Sequence, residues 1–136
     1  MSVFVDTSAW YALASVSDQD HHAAHAIYAE LVERDEALVT SSYTVAETMG
    51  LMQRRLGWKP LELFAAAVRT VDVVWIDEAL HRQAEATFFA RRKRGITIVD
   101  AAGFVVMTSR GVDTAFAFDD DFRREGFAVL RPPGRT

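Results

Sequence analysis

The stretch SVFVDTS at residues 2–8 contains the pattern that decides the fold class. Its apolar part, residues 2–5, predicts a short buried strand. Asp6, Thr7 and Ser8 follow at once, and these residue types favour turns and the first position of a helix. The stretch therefore predicts a strand that ends in an acidic residue, with a helix beginning directly behind it.

The same order of strand, polar turn and helix continues along the chain. Further strands are predicted at residues 37–40, 73–76, 115–118 and 127–130. Helices are predicted over residues 9–16, 41–57, 60–70 and 101–110, with two more beginning near Asp20 and after Asp77, the latter ending at Gly95. The helix at 41–57 is expected to bury the stripe Val45, Met49, Met52 and Leu56.

Short apolar strands that alternate with helices favour parallel pairing, with helices covering both faces of the sheet. The predicted fold is therefore a three-layer α/β/α domain with a short five-stranded parallel sheet. We expect residues 1–136 to form one domain that ends in a polar tail at 131–136.

The composition excludes several classes of site. The sequence has no cysteine, which rules out disulfide frameworks, zinc ribbons, iron–sulfur clusters and cysteine nucleophiles. It has no apolar run of membrane-spanning length and no signal-peptide pattern, so we expect a cytoplasmic protein with no membrane partner. The net charge of −4 argues against nucleic-acid binding. However, all basic residues except Lys59 and Lys93 are arginines, whose planar guanidinium suits phosphate oxygens.

Four acidic residues lie at predicted element ends. Asp6 and Asp119 follow two strands, Asp100 starts a helix, and Glu47 is in the first turns of another. Ligand sites of open parallel sheets form beyond the carboxyl ends of the strands. Carboxylates that converge there repel one another, and Mg²⁺ or Mn²⁺ can neutralise them. The set therefore suggests metal-dependent phosphoryl chemistry.

Each acid also has a purely structural interpretation. Asp6 and Asp100 could be helix N-caps, and Glu47 could form a capping box with Thr44. The triplet at residues 119–121 could be a simple turn.

Four segments together resemble the PIN-domain ribonucleases, in particular the VapC toxins of bacterial toxin–antitoxin pairs. The segments are VFVDTS at 3–8, SSYTVAE at 41–47, DAAGFVVM at 100–107 and FAFDDDFRREGF at 116–127. Their order and spacing agree with the family, so the resemblance covers nearly the whole chain. One departure is Ala117, where the family often has a threonine or serine.

The resemblance implies an endoribonuclease that requires Mg²⁺ or Mn²⁺. Carried over by position, the catalytic and metal-binding residues are Asp6, Glu47, Asp100 and Asp119. Ser8 and Ser41 match hydroxyl positions near the family's site, and Asp121 is a further candidate ligand. The resemblance also implies an RNA substrate, a cognate antitoxin whose segment blocks the acidic site, and a homodimer.

Arginines supply the candidate contacts to RNA phosphates. A basic run comprises Arg91, Arg92, Lys93 and Arg94, and further candidates are Arg54, Arg55, Arg110, Arg123 and Arg124. The run ends a predicted helix, where cations are also favoured by the helix dipole alone. Trp10, Tyr11 and Trp58 could stack on bases or belong to the core.

Two other functions fit the same residues. The first is a non-catalytic module of the same fold that binds RNA or another partner. The second is a metal-dependent phosphatase or DNA nuclease that uses the same acids.

Overall fold

The computed structural model describes residues 1–134, and within them five strands alternate with seven helices. The strands are β1 Ser2–Val5, β2 Ala37–Ser41, β3 Asp72–Val74, β4 Thr114–Phe116 and β5 Ala128–Val129. The helices are α1 Thr7–Ala14, α2 His21–Glu33, α3 Ser42–Arg55, α4 Trp58–Val68, α5 Glu78–Arg91, α6 Ile98–Arg110 and α7 Asp121–Arg124. Residues 135 and 136 of the predicted tail lie outside the described part. None of these helices is long and apolar enough to cross a bilayer.

All five strands pair in parallel, in the order β3-β2-β1-β4-β5. The central strand is β1, in which Phe4 pairs with Val39 of β2 and Ala115 of β4. The chain builds the sheet outward from β1 through β2 to β3 and then crosses to β4 on the other side. This reversal lies between β1 and β4, which is where an open parallel sheet forms its ligand crevice.

Helices cover both faces of the sheet, which confirms the predicted α/β/α fold. Along β1, Val3 and Val5 pack with residues of α1, α2, α3 and α4 on one face. Phe4 points to the opposite face and packs among residues that include Phe104 of α6. Successive side chains of a strand point to opposite faces, so a strand that is apolar throughout requires this double covering.

Helix α6 lies very close to the central strand β1. A Cβ atom on Gly103 would stand 3.1 Å from Cζ of Phe4 and 3.2 Å from its Cε1. Glycine at this position lets the Phe4 ring lie directly against the backbone of α6 and thereby sets the depth of that helix.

Polar caps move two helix starts from their predicted positions and decide how a third helix is capped. The helix predicted from residue 9 begins at Thr7, because the Asp6 side chain accepts from the Ser8 amide. The helix predicted from residue 101 begins at Ile98 behind Thr97, so Asp100 is its third residue and not its cap. The helix predicted from residue 41 begins at Ser42 behind Ser41, which accepts from the Thr44 amide, so the alternative interpretation of Glu47 as part of a capping box with Thr44 is wrong.

Other boundaries are shortened by local backbone geometry. The fourth strand ends at Phe116, so residues 117 and 118 separate it from Asp119, and the Phe118 amide donates to Ser8 Oγ. Helix α5 ends at Arg91, because Arg92 takes a left-handed backbone conformation with φ of 48°. The predicted helix continued to Gly95. Helix α7 is a single short element that the sequence pattern did not predict.

Candidate active site

Three of the predicted acids meet at one point. Asp6, Asp100 and Asp119 each place one carboxylate oxygen within 4.8 Å of the other two. Asp6 ends β1 and caps α1, Asp119 lies in the turn after β4, and Asp100 is in the first turn of α6. The cluster therefore lies at the carboxyl edge of the sheet, where the β1–β4 reversal leaves a crevice.

Asp6 is the most enclosed member of the cluster, with 4% of the residue exposed. Its Oδ2 accepts hydrogen bonds from the Ser8 hydroxyl at 2.7 Å and from the Ser8 amide at 3.1 Å. The Asp6 amide donates to the Phe116 carbonyl at 3.0 Å, which ties the residue to β4. Asp6 is thus held through its side chain by Ser8 and through its backbone by β4.

The other two carboxylates are held by neighbouring backbone. Asp100 Oδ2 accepts from the Thr97 amide at 2.9 Å and from the Thr97 hydroxyl at 3.2 Å. Asp119 Oδ1 accepts from the Asp121 amide at 3.2 Å. These bonds hold the side chains in place, and each of the three residues still offers one carboxylate oxygen to the converging group.

The pKa values of all three carboxyls are raised. Burial, followed by repulsion from Asp119, raises the pKa of Asp6 to about 7, even though the Ser8 hydrogen bonds oppose this shift. Burial also raises the pKa of Asp100 to about 6, with Asp119 and Asp121 adding repulsion. Burial and the charge of Asp121 raise the pKa of Asp119. Three ionised carboxylates are thus costly here without a compensating cation.

The donor set fits a hard divalent cation. Carboxylate oxygens are the ligands that Mg²⁺ and Mn²⁺ prefer, and the cluster offers three of them without nitrogen or sulfur. A cation bound there would relieve the repulsion that raises the three pKa values. The predicted cofactor class therefore fits the residues present.

Two predicted acids lie outside this group of three. Glu47 is exposed on α3, and its carboxylate is not among the converging oxygens. Asp121 is half-buried at the start of α7, and its charge reaches both Asp100 and Asp119. Asp121 is thus next to the cluster, while Glu47 is an exposed residue outside the group of converging carboxylates.

The two predicted hydroxyl residues have different positions. Ser8 contacts the cluster directly through Asp6, and its Oγ also accepts from the Phe118 amide at 3.0 Å. Ser41 is fully buried, caps α3, and is 3.0 Å from the Thr44 hydroxyl. The hydrogen bonds of Ser41 are therefore made within α3.

Threonines support the site in a way that sequence reasoning missed. Thr48 of α3 donates to the hydroxyl of Thr7, the residue next to Asp6, at 3.1 Å. Thr97 forms a reciprocal capping box with Asp100 and so orients its carboxylate. The T-x-x-D spacing of Thr97 and Asp100 was visible in the sequence and could have identified this pair.

The predicted RNA-binding cations fall into two groups. Arg91 makes a two-pronged ion pair with Glu125 at 2.6 and 2.9 Å, and Arg123 pairs with Asp120 at 2.7 Å. Residues 92–94 form an exposed basic loop that makes no salt bridge within the described residues 1–134. Phe89, which is 54% exposed, lines a hollow with this loop.

The aromatic candidates also differ in their surroundings. Trp10 is buried in the core, and its ring packs edge-on to Phe64 at 5.4 Å. Tyr11 is half-buried, and the Arg55 guanidinium lies 5.7 Å from its ring centre. Trp58 is 67% exposed and can contact other molecules.

A sequence profile of a known family, described as the PIN domain, matches residues 3–128. The chain belongs to the PIN-domain family. Over 133 residues this PIN-domain chain is 35% identical to the 23S rRNA-specific endonuclease VapC20 of Mycobacterium tuberculosis, covering 96% of this chain and 98% of the relative.

Solved structures give the same result. The crystal structure of M. tuberculosis VapC20, described as a sarcin–ricin loop cleaving toxin, aligns with a TM-score of 0.86 at 33% identity, covering 96% of this chain and 99% of that one. The structure of VapBC2 from Rickettsia felis aligns with a TM-score of 0.68 at 10% identity, over 96% and 98% of the two chains. FitAcB from Neisseria gonorrhoeae aligns with a TM-score of 0.65 at 18% identity, over 99% and 100%. The last two comparisons concern the fold alone. The predictions of a VapC-like PIN domain and of a nuclease are confirmed.

Proposed function

We propose that this chain is an endoribonuclease dependent on Mg²⁺ or Mn²⁺, that it is the toxin of a toxin–antitoxin pair, and that it cuts ribosomal RNA of the large subunit. One observation carries the proposal: three carboxylates converge within 4.8 Å at the β1–β4 crevice of a PIN domain. The substrate follows from the relative VapC20, which is a 23S rRNA-specific endonuclease.

The catalytic centre in this proposal comprises Asp6, Asp100 and Asp119, which hold the cation through their converging carboxylate oxygens. When bound, a divalent cation supplies Lewis-acid chemistry for phosphodiester hydrolysis. The protein contributes by holding three carboxylates in a fixed arrangement, although the ionised carboxylates repel one another.

Neighbouring groups orient the three acids. Ser8 donates to Asp6, the Thr97 amide and hydroxyl hold Asp100, and the Asp121 amide holds Asp119. These contacts come from within three residues of each acid, so the arrangement is built into local turns and caps. Such preorganisation lowers the cost of placing the reacting phosphate.

Glu47 and Asp121 have supporting roles in the proposal. Glu47 is exposed and outside the cluster, which suits a base that takes a proton from the attacking water. Asp121 is half-buried beside Asp119, which suits a further ligand or a hydrogen-bond acceptor for a water at the site.

RNA phosphates are bound by arginines in this proposal. Arg92 and Arg94 of the basic loop are exposed and make no salt bridge within the described residues, so they can contact phosphates directly. Arg91 acts indirectly, because its pair with Glu125 fixes the helix end from which the loop begins. Arg123 contacts RNA by exchanging Asp120 for a phosphate, since both partners are more than half exposed.

The proposal includes two protein partners. The first is a cognate antitoxin, one segment of which covers the acidic cluster with a basic side chain. Three carboxylates that converge favour such a side chain for the same reason that they favour a cation, because a positive charge relieves their mutual repulsion. The second is another copy of this chain in a homodimer. The setting is the cytoplasm, where ribosomes are found.

The test uses purified ribosomes, with protein-free 23S rRNA as a second substrate. The wild type with Mg²⁺ is expected to produce one or a few defined cuts, and Asp6→Asn none. Asp35→Asn is the matched control, because Asp35 is exposed and has a left-handed backbone that asparagine tolerates. Cutting by Asp6→Asn at the wild-type rate would contradict the assigned site. Preferential cutting of DNA of the same sequence, or of a phosphomonoester, would contradict the assigned substrate.

A further inference from the structure

A cavity of about 480 Å³ opens directly beside Asp119. One wall is the segment 117–120 that follows β4, and the opposite wall is β5 with residues 130–132. Because Asp119 belongs to both the cavity lining and the carboxylate cluster, a molecule in this cavity is adjacent to the phosphate being cut.

The lining combines apolar walls with cationic rims. Ala117, Val129 and Leu130 supply apolar surface, and Phe118 adds a half-buried aromatic ring. Arg123 and Arg131 are exposed at the rim. Apolar walls with a few polar groups are typical of small-ligand sites, and aromatic rings beside cations are typical of sites that bind unpaired nucleotides.

The edge strand also supplies unused backbone groups. Ala128 and Leu130 donate their amides to the carbonyls of Asp113 and Ala115 on the β4 side. Backbone groups alternate in direction along a strand, so the Val129 amide and carbonyl face the open side of β5. Because these Val129 groups point away from β4 and from the segment 117–120, the contacts to a molecule in the cavity come from the lining side chains.

We propose that this cavity binds the nucleobase next to the scissile phosphate, while Arg131 contacts the neighbouring phosphate. The inference rests on the proposed endoribonuclease function and adds to it a subsite for substrate recognition. An RNA-cutting enzyme with an open acidic cluster needs a second contact to select its position, because the phosphate itself carries no sequence information. The cavity shares Asp119 with the cluster, so it can provide that contact next to the phosphate being cut.

The experiment combines two changes: a tryptophan substitution fills the cavity in the protein, and an abasic residue removes the base from the RNA. The probe is a chemically synthesised sarcin–ricin loop hairpin, in intact form and in two further forms that each carry one abasic residue, on one or the other side of the mapped cut. Ala128→Trp places an indole at the cavity wall, from an exposed position of the edge strand. Ala37→Trp is the control, because Ala37 is likewise exposed and begins β2.

The wild type is expected to lose at least about tenfold in kcat/KM when one of the two flanking bases is missing. Ala128→Trp should lose a similar factor on the intact hairpin and should no longer respond to the missing base, while Ala37→Trp should behave as wild type. If Ala128→Trp keeps the wild-type kcat/KM and still responds to the missing base, the subsite is wrong. It is equally wrong if the wild type responds to neither missing base.

A second variant tests the proposal even if the tryptophan variant does not fold. Arg131→Gln should raise KM and reduce the slope of log KM against log salt by about 0.7, the value for one phosphate contact on a single strand. Arg69→Gln, on an exposed position before β3, should change neither quantity. An unchanged salt slope in Arg131→Gln would overturn the phosphate contact. Absence of cutting by the wild type would instead contradict the proposed function, and the subsite with it.

Discussion

The Ser8 hydroxyl donates to the Asp6 carboxylate at 2.7 Å and accepts from the Phe118 amide at 3.0 Å. One side chain therefore connects the acid that ends β1 to the backbone that leads to Asp119. The two sides of the crevice are held in register by this contact, and the geometry of the cluster depends on it.

Removing the Ser8 hydroxyl should impair the site more than the fold. In Ser8→Ala, Asp6 loses a hydrogen bond that favours its charged form and opposes the rise in its pKa. We expect kcat to fall by about tenfold, and the Mg²⁺ concentration for half-maximal cutting to rise, because such a bond contributes about 1.5–3 kcal/mol. Ser109→Ala is the control, since the Ser109 hydroxyl donates to the Val106 carbonyl within α6. Equal Mg²⁺ dependence in wild type and Ser8→Ala would show that Ser8 does not orient Asp6.

The raised pKa of Asp6 makes stability without metal depend on pH. The folded pKa, about 7, lies above the ordinary value of 3.8, so the folded state retains a proton that the unfolded state loses. The resulting stabilisation is complete below pH 4 and is lost as pH rises through 7. Asp6→Asn cannot titrate, so in chelator it should gain stability relative to wild type by about 2 kcal/mol between pH 5 and pH 8.

Urea unfolding at both pH values measures this difference. Added Mg²⁺ at pH 8 should restore stability to the wild type and not to Asp6→Asn, because only the native site binds the cation. A difference between the two proteins that stays constant with pH would show that Asp6 is ionised without metal.

The close approach of α6 to β1 predicts opposite effects of two glycine substitutions. Gly103→Ala places a Cβ 3.1 Å from the Phe4 ring, so it should destabilise the fold by about 1–3 kcal/mol. Gly50→Ala meets only the end of the flexible Arg54 side chain, at 3.4 Å, and should stabilise α3 by about 0.5–1 kcal/mol. Chemical unfolding of both variants tests this, and a neutral Gly103→Ala would contradict the tight packing.

Arg91 and Arg94 should differ in what their loss changes. Arg94→Gln removes an exposed cation of the basic loop, so it should weaken RNA binding and reduce the salt slope by about 0.7–0.9, with little effect on stability. Arg91→Gln leaves Glu125 without its partner, so it should mainly lower the free energy of unfolding, by the small amount typical of an exposed ion pair. RNA binding is measured at several salt concentrations for both variants, each combined with the inactivating Asp6→Asn change. These data separate an effect on RNA contacts from an effect on stability. A larger change of slope in Arg91→Gln would reverse the assignment.

The sequence predicted the sheet well because its strands are short, apolar and separated by clear turn residues. It could not predict the helix face of α3, where Met49 is 37% exposed while Thr44 and Thr48 are buried. A count of apolar residues misses this, because the Thr48 hydroxyl is satisfied by the Thr44 carbonyl and by Thr7. Burial without apolar character depends on partners that are 41 residues away in the chain.

Three of the four acids predicted for the site converge in the structure, and the fourth does not. Asp6, Asp100 and Asp119 were placed at the carboxyl edge by topology alone, and the structure brings them together. Glu47 was predicted on the same grounds, yet it is exposed outside the group. The direction of a side chain depends on which face of its helix packs against the core. In α3, Thr44 and Thr48 are buried and Glu47 is exposed, and the topology alone does not determine this.

The central claim is that the three-carboxylate cluster is a metal site that cuts RNA. The most direct test is the rate of cutting of 23S rRNA against free Mg²⁺ concentration at pH 8, for wild type and Asp100→Asn. The account predicts no cutting in chelator, a saturable rise with Mg²⁺ for wild type, and no rise for Asp100→Asn. Cutting by wild type that persists in chelator, or an Mg²⁺ response unchanged in Asp100→Asn, would contradict it.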